Sequence, residues 1–155
     1  MPRLLRPILL ATLVAGTLDI VAAIGLTVYY GRRGVGDMLR YVASGPFPAA
    51  TGWGPGGAAL GLATHFALML AMAAAFVLAA SRRPKLWRRP LLWGLLYGLA
   101  TYAVMNLIVV PMRWPEAFPP SPRSVGTQLF CHIVLVGIPV AWIAARHFRR
   151  RSAFA

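Results

Sequence analysis

Five side chains place polar chemistry inside otherwise apolar stretches: Asp19, His65, Asn106, Gln128 and His132. Asp19 and the histidines offer proton exchange, since imidazole changes charge near neutral pH and an intramembrane carboxylate is a common relay group. Two histidines at similar depth on separate helices also offer a pair of neutral imidazole ligands for a haem or a metal. Arg40, Arg113 or Arg123 would then neutralise the propionates. Asn106 and Gln128 add both donors and acceptors. Nucleophilic catalysis is disfavoured, because Cys131, the single cysteine, precedes His132 and points about 100° away from it around a helix. One cysteine excludes an internal disulfide and a Cys-based metal cluster.

These groups need elements that hold them, and the composition says which. The 155-residue chain is 59% hydrophobic and only 12% charged, about half the charged share of a soluble domain. A domain this small cannot hide so much apolar surface from water. The expected class is an all-α membrane protein, a single domain over 1–155. Four spans fall at about 8–30, 58–80, 91–112 and 125–146, each near the twenty residues that cross a bilayer. The first run continues through Ile20, Ile24 and Val28, past the length of a signal peptide, so an uncleaved helix is expected.

Loop charge sets the orientation. Arg3 and Arg6, the stretch Ser81–Pro90 (Arg82, Arg83, Lys85, Arg88, Arg89) and the tail (Arg146, Arg149, Arg150, Arg151) fall on one side. Arg32, Arg33, Arg40, Arg113 and Arg123 fall on the other. Eleven against five places both termini in the cytoplasm. The net charge of +13 therefore reflects topology and not nucleic-acid binding. Anionic lipid headgroups are the expected contact of Arg82, Arg83, Lys85, Arg88 and Arg89, with Trp87 at the interface.

In the first outer loop, Val35, Met38, Leu39 and Val42 share one face of a short amphipathic helix, expected to rest on the membrane surface. The Gly- and Pro-rich Ser44–Gly57 follows as a structured loop carrying Trp53. Arg113–Ser124 contains four prolines and breaks regular structure.

Small residues let helices approach in lipid. Such stripes occur at Ala11, Ala15, Asp19 and Ala23, at Ala67, Ala71 and Ala75, at Gly94 and Gly98 continuing into Thr101, Tyr102, Met105 and Asn106, and at Gly137, Ala141 and Ala145. The halves look like a loose parallel repeat, each returning a histidine, His65 or His132, about 10 Å below the outer surface. Gln128 stands one turn above His132. Met69 and Met72 read as packing, Glu116 as solvated, and His147 as solvated or facing headgroups.

The pieces Gly16-Thr-Leu-Asp19-Ile, Tyr41-Val-Ala-Ser-Gly45, Gly61-Leu-Ala-Thr-His65-Phe66, Tyr97-Gly98, Met105-Asn-Leu-Ile-Val-Val-Pro111 and His132 with Val136-Gly-Ile-Pro139 resemble a group of small bacterial four-span inner-membrane proteins. That group is similar to the YagU-like proteins. The resemblance runs from Leu13 to about Arg146. It implies the four-span fold, the inner membrane and special status for Asp19, His65, Asn106, Pro111 and His132, but neither substrate nor reaction.

The expected function is a non-enzymatic accessory or small-ligand-binding bundle, alone, as a homo-oligomer or in a larger membrane complex. Asp19, His65, Asn106, Gln128 and His132 would line a polar pocket in its outer half. The plainer role for the same residues is hydrogen bonding across helices. The alternatives are a haem- or metal-binding redox subunit using His65 and His132, and a proton-coupled carrier using Asp19 and His65.

Overall fold

Proline and glycine, more than the edges of the apolar runs, set where the helices start and stop. A computed structural model describes residues 2–31 and 34–152. Arg32 and Arg33 lie outside the described residues, as do the side chains of Arg3 and Arg151. The first long helix, Pro2–Tyr30, ends at Gly31, whose φ of 59° turns the chain and whose N–H donates to the Thr27 carbonyl at 3.1 Å. The second, Gly54–Arg82, has Pro55 in its first turn. The third, Pro90–Arg113, begins on its proline. The fourth, Pro122–Arg150, follows Ser121, whose hydroxyl accepts the Ser124 N–H at 3.2 Å. Proline is favoured at these first positions because its missing N–H has no helical partner there anyway.

The result is the expected all-α four-helix bundle, with no strand among the described residues. All four helices are long and apolar enough to cross a bilayer. The fourth is the central one, 44% buried over its most apolar stretch against 17% for the third, and it touches the other three. Large apolar side chains such as Leu13, Val21, Leu91, Leu99 and Leu107 face outward, whereas Ala11, Ala15, Ala73, Ala141 and Ala144 are buried. Small residues inside and large ones outside suit a bundle whose solvent is lipid.

Two of the long helices are not regular α-helices throughout. Ala103–Val109 in the third and Cys131–Gly137 in the fourth are π-helical. Their wide turns end in five-residue bonds, Val110 N–H to the Met105 carbonyl and Ile138 N–H to the Ile133 carbonyl. Each is followed by a proline, Pro111 or Pro139, at the same offset. Proline has no N–H to donate and its ring crowds the carbonyl four residues back. Widening the preceding turn relieves that crowding, and π-bulges recur at functional positions.

The third and fourth helices meet backbone to backbone. A Cβ on Gly98 would stand 2.5 Å from the His132 carbonyl oxygen and 2.5 Å from Ile133 Cα, and one on Gly137 would overlap Gly94. Gly94, Gly98, Gly137, Ala141 and Ala145 are therefore the packing faces read from the sequence. On the second helix the expected stripe is wrong: Ala67, Ala71 and Ala75 are exposed. Its buried line is Gly57, Gly61, His65, Met69, Ala73 and Val77.

The short helix Val35–Ala43 forms as expected, its first turn capped by the Asp37 carboxylate, which accepts the Gly34 N–H at 3.2 Å. It does not rest on a surface alone. It docks on the second helix so closely that a Cβ on Gly61 would overlap the Leu39 carbonyl. Arg40 pairs with Asp37 and donates to the Gly54 carbonyl at 3.2 Å. The same loop is latched to the end of the third helix: Arg113 Nε donates to the carbonyls of Ser44, 3.0 Å, and Gly45, 3.1 Å. The Trp114 ring stacks on Tyr41 at 4.5 Å.

At the opposite end, where the first helix begins and the fourth ends, Lys85–Arg88 forms one helical turn between the second and third helices. Arg149 donates to the Arg88 carbonyl at 3.1 Å, and Trp87 stacks on Phe148 at 6.2 Å. We call this the basic end and the other the loop end.

The glycine contacts lead to a direct comparison. Gly98→Val should cost about 1–3 kcal/mol through overpacking. Gly25→Ala, with nothing within 4 Å of the new Cβ, should stay within about 1 kcal/mol of the parent. Unfolding of both variants in detergent checks this, and equal stabilities would contradict the packing described.

Candidate functional site

The five candidate residues fall into two separate clusters. In the first, Gly16 and Asp19 stand one turn apart on the first helix and face His65 on the second. A Cβ on Gly16 would sit 2.7 Å from the Phe66 ring, which would have to shift to admit it. That approach brings the Gly16 carbonyl within 2.9 Å of His65 Nε2. A carbonyl only accepts, so Nε2 carries the proton. His65 Nδ1 then faces Asp19 Oδ2 at 3.9 Å, beyond hydrogen-bond length.

The tautomer decides what this pair can do. With Nε2–H committed to Gly16, Nδ1 is bare in neutral imidazole and protonated in imidazolium. Nδ1 is therefore the ring nitrogen left to exchange a proton, and it faces the Asp19 carboxylate without a direct hydrogen bond. The Asp19 side chain keeps 22% of its surface exposed, and it makes no hydrogen bond among the described residues. Cys131 and Ala22 line a groove of about 540 Å³ between the first and fourth helices, together with Gly25, Leu26, Gly126, Thr127 and Phe130.

The second cluster lies between the third and fourth helices. Thr101 donates its hydroxyl proton to the Gly98 carbonyl at 3.0 Å, leaving its oxygen to accept from His132 Nδ1 at 3.2 Å. His132 Nε2 then accepts from Asn106 Nδ2 at 3.3 Å, and the same amide reaches the Tyr102 carbonyl at 3.4 Å. Every link has one donor and one acceptor, which makes His132 neutral with its proton on Nδ1. The Tyr102 ring meets His132 edge-on at 6.0 Å. Both members of the Asn106–His132 bond lie in the π-helical segments.

Gln128 joins neither cluster, and its side chain makes no hydrogen bond among the described residues. Both histidines also lie deeper than expected. The second helix starts at Gly54 and the fourth at Pro122, so His65 and His132 are about 15–16 Å from the loop end at 1.5 Å per residue.

The pairing also bears on metal chemistry. Among the described residues no three His, Cys, Asp or Glu side chains are grouped to hold a metal ion. Ligation through Nε2 would break the bond of His65 to Gly16 or that of His132 to Asn106. The arginines considered for haem propionates are committed as well. Arg113 and Arg40 hold the loop carbonyls, and Arg123 sits over the Tyr30 ring at 5.6 Å.

Three further polar groups that bridge helices were not among the five candidates: the Gly16 carbonyl and Thr101 within the clusters and, outside both, Tyr97, whose hydroxyl donates to the Met72 carbonyl at 2.7 Å. Thr101 is signalled by its place on the Gly94–Gly98 face. The other two depend on a backbone acceptor, which residue types do not reveal. Comparison with protein-family models, with curated proteins and with solved structures finds no match.

A double-mutant cycle on Asn106→Leu and His132→Ala should give a coupling of about 0.5–1.5 kcal/mol, the net value of a hydrogen bond. Zero coupling would show that the 3.3 Å contact adds nothing to stability.

Proposed function

We propose that this is a non-enzymatic four-span protein of the bacterial inner membrane, both termini cytoplasmic, that binds a small ligand at the Asp19–His65 pair. The observation that carries the proposal is the asymmetry between the clusters. His132 has a protein partner on each ring nitrogen, the pattern of a buried polar group that holds helices in register. Asp19 has a histidine 3.9 Å away and unused acceptor capacity. A carboxylate within a span is costly on insertion scales, about 2.5–3.5 kcal/mol, and such groups mark functional positions. Ionised, Asp19 only accepts, so the ligand is a small molecule carrying a cationic or hydrogen-bond-donating group.

The resemblance to small four-span bacterial proteins supports the membrane placement, as does the bias of Lys and Arg toward the basic end. Arg82, Arg83, Lys85, Arg88 and Arg89 then meet anionic headgroups on the cytoplasmic face. Proton-coupled transport is the second reading, and the placement of His65 Nδ1 opposite the Asp19 carboxylate favours it.

Melting of the purified protein with a panel of small amines tests the ligand site. A stabilisation seen in the parent should vanish in Asp19→Asn, whose unliganded melting should match or exceed that of the parent. Equal stabilisation of both would overturn the site. In liposomes, Asp19→Asn should abolish any pH-driven flux, and undiminished flux would remove the carrier reading. A reporter inserted between Ser81 and Pro90 should be active only in its cytoplasmic form, and periplasmic activity would reverse the topology.

A further inference from the structure

At the basic end the first and fourth helices part to leave a groove of about 560 Å³. Arg6, Pro7 and Leu10 line it from the first helix, and Trp142, Ile143, Arg146, His147 and Arg150 from the fourth. The lining is graded along the helix axes. Arg6 stands one turn nearer the basic end than Leu10, and Arg146 and Arg150 lie one and two turns beyond Trp142. The cationic groups therefore gather at the mouth, and the apolar ones lie toward the middle of the bundle.

Two further facts leave the arginines of this groove unpartnered among the described residues. Arg6, Arg146 and Arg150 make no side-chain hydrogen bond or ion pair among the described residues. The protein has only three acidic residues, Asp19, Asp37 and Glu116, and all stand in or beyond the middle of the bundle. Leu10 and Trp142 are 48% and 49% exposed, so the inner half of the groove is an uncovered apolar surface.

We infer that this groove binds one anionic glycerophospholipid, its phosphate held by Arg6, Arg146 and Arg150 and its acyl chain laid along Leu10, Trp142 and Ile143. The inference rests on the membrane-spanning reading proposed above. The charge gradient singles out this occupant. A soluble phosphate would satisfy the arginines and leave the apolar half bare, whereas a zwitterionic lipid would fill the apolar half and leave the arginines without a net counter-charge. Arginine also suits phosphate, because its planar fork presents paired donors. The volume, on the order of twenty water-sized groups, accommodates a phosphoglycerol headgroup and the first carbons of its chains. Basic pockets between membrane helices on the cytoplasmic side are recognised lipid sites. This one is distinct from the Ser81–Pro90 turn, whose basic residues would meet headgroups diffusely.

The test uses the full chain in phosphatidylcholine nanodiscs and in detergent micelles titrated with phosphatidylglycerol, phosphatidylcholine or inorganic phosphate, with melting and native mass spectrometry as readouts. Phosphatidylglycerol should stabilise the parent and remain bound, and the other two should not. The double variant Arg146→Gln/Arg150→Gln should weaken phosphatidylglycerol binding roughly thirty-fold. Trp142→Ala should also weaken it, and Arg88→Gln/Arg89→Gln should not. An unchanged preference in the groove variant, or an equal loss in the turn variant, overturns the site. Equal stabilisation by inorganic phosphate shows a free-anion site instead and overturns the lipid. Should the double variant melt early in phosphatidylcholine, Arg6→Gln, on the facing helix, decides by the same criteria. Failure of the parent to enter nanodiscs at all would defeat the membrane reading, whereas entry without a lipid preference defeats only the groove.

Discussion

Close approach at glycine, where a helix backbone meets its neighbour with no side chain of its own between, is the constraint on which this structure depends. In lipid, exposed leucines gain nothing by meeting each other, and helices associate where small residues admit close packing. Gly94 and Gly98 against Gly137 and His132, Gly16 against Phe66, and Gly61 against Leu39 are three such approaches. Each delivers a polar contact or a docked element that would otherwise be out of reach. The first aligns Thr101 and Asn106 with His132. The second brings the Gly16 carbonyl to His65. The third seats the short helix Val35–Ala43 on the second long helix.

The π-helical segments belong to the same logic. Pro111 and Pro139 each deny a carbonyl its usual donor, and the wide turn before each absorbs the defect. In the third and fourth helices the two wide turns also contain the Asn106–His132 bond. The irregular backbone is thus coupled to the buried polar chain. The pair on the first and second helices, Asp19 and His65, sits instead on regular α-helix, where Asp19 keeps unused acceptor capacity.

Much of this was legible in the residues. Four apolar runs in so small a chain leave little choice of architecture, and glycine at four-residue spacing identifies the contact face of the third helix. The second helix was misread for a reason visible in its composition. It holds ten alanines between Ala58 and Ala80, so small-residue spacing alone cannot select a face. Gly57, Gly61 and His65 at the same spacing carry the deciding information. Hydropathy likewise implies that Asp19, His65, Asn106 and His132 need partners but does not pair them. His65 closes on a main-chain oxygen, and His132 on a threonine whose own hydroxyl is already committed to a carbonyl. The wide turns leave only their prolines as a sequence trace.

The bond from Arg113 to Ser44 spans 69 residues of chain and crosses from one helical hairpin to the other. The short helix packs on Gly57 and Gly61 within its own hairpin, whereas Arg113 and Trp114 reach it from the other. The loop end is thus a clasp across the two hairpins, one arginine and one stacked indole reinforcing the packing of the fourth helix on the first two.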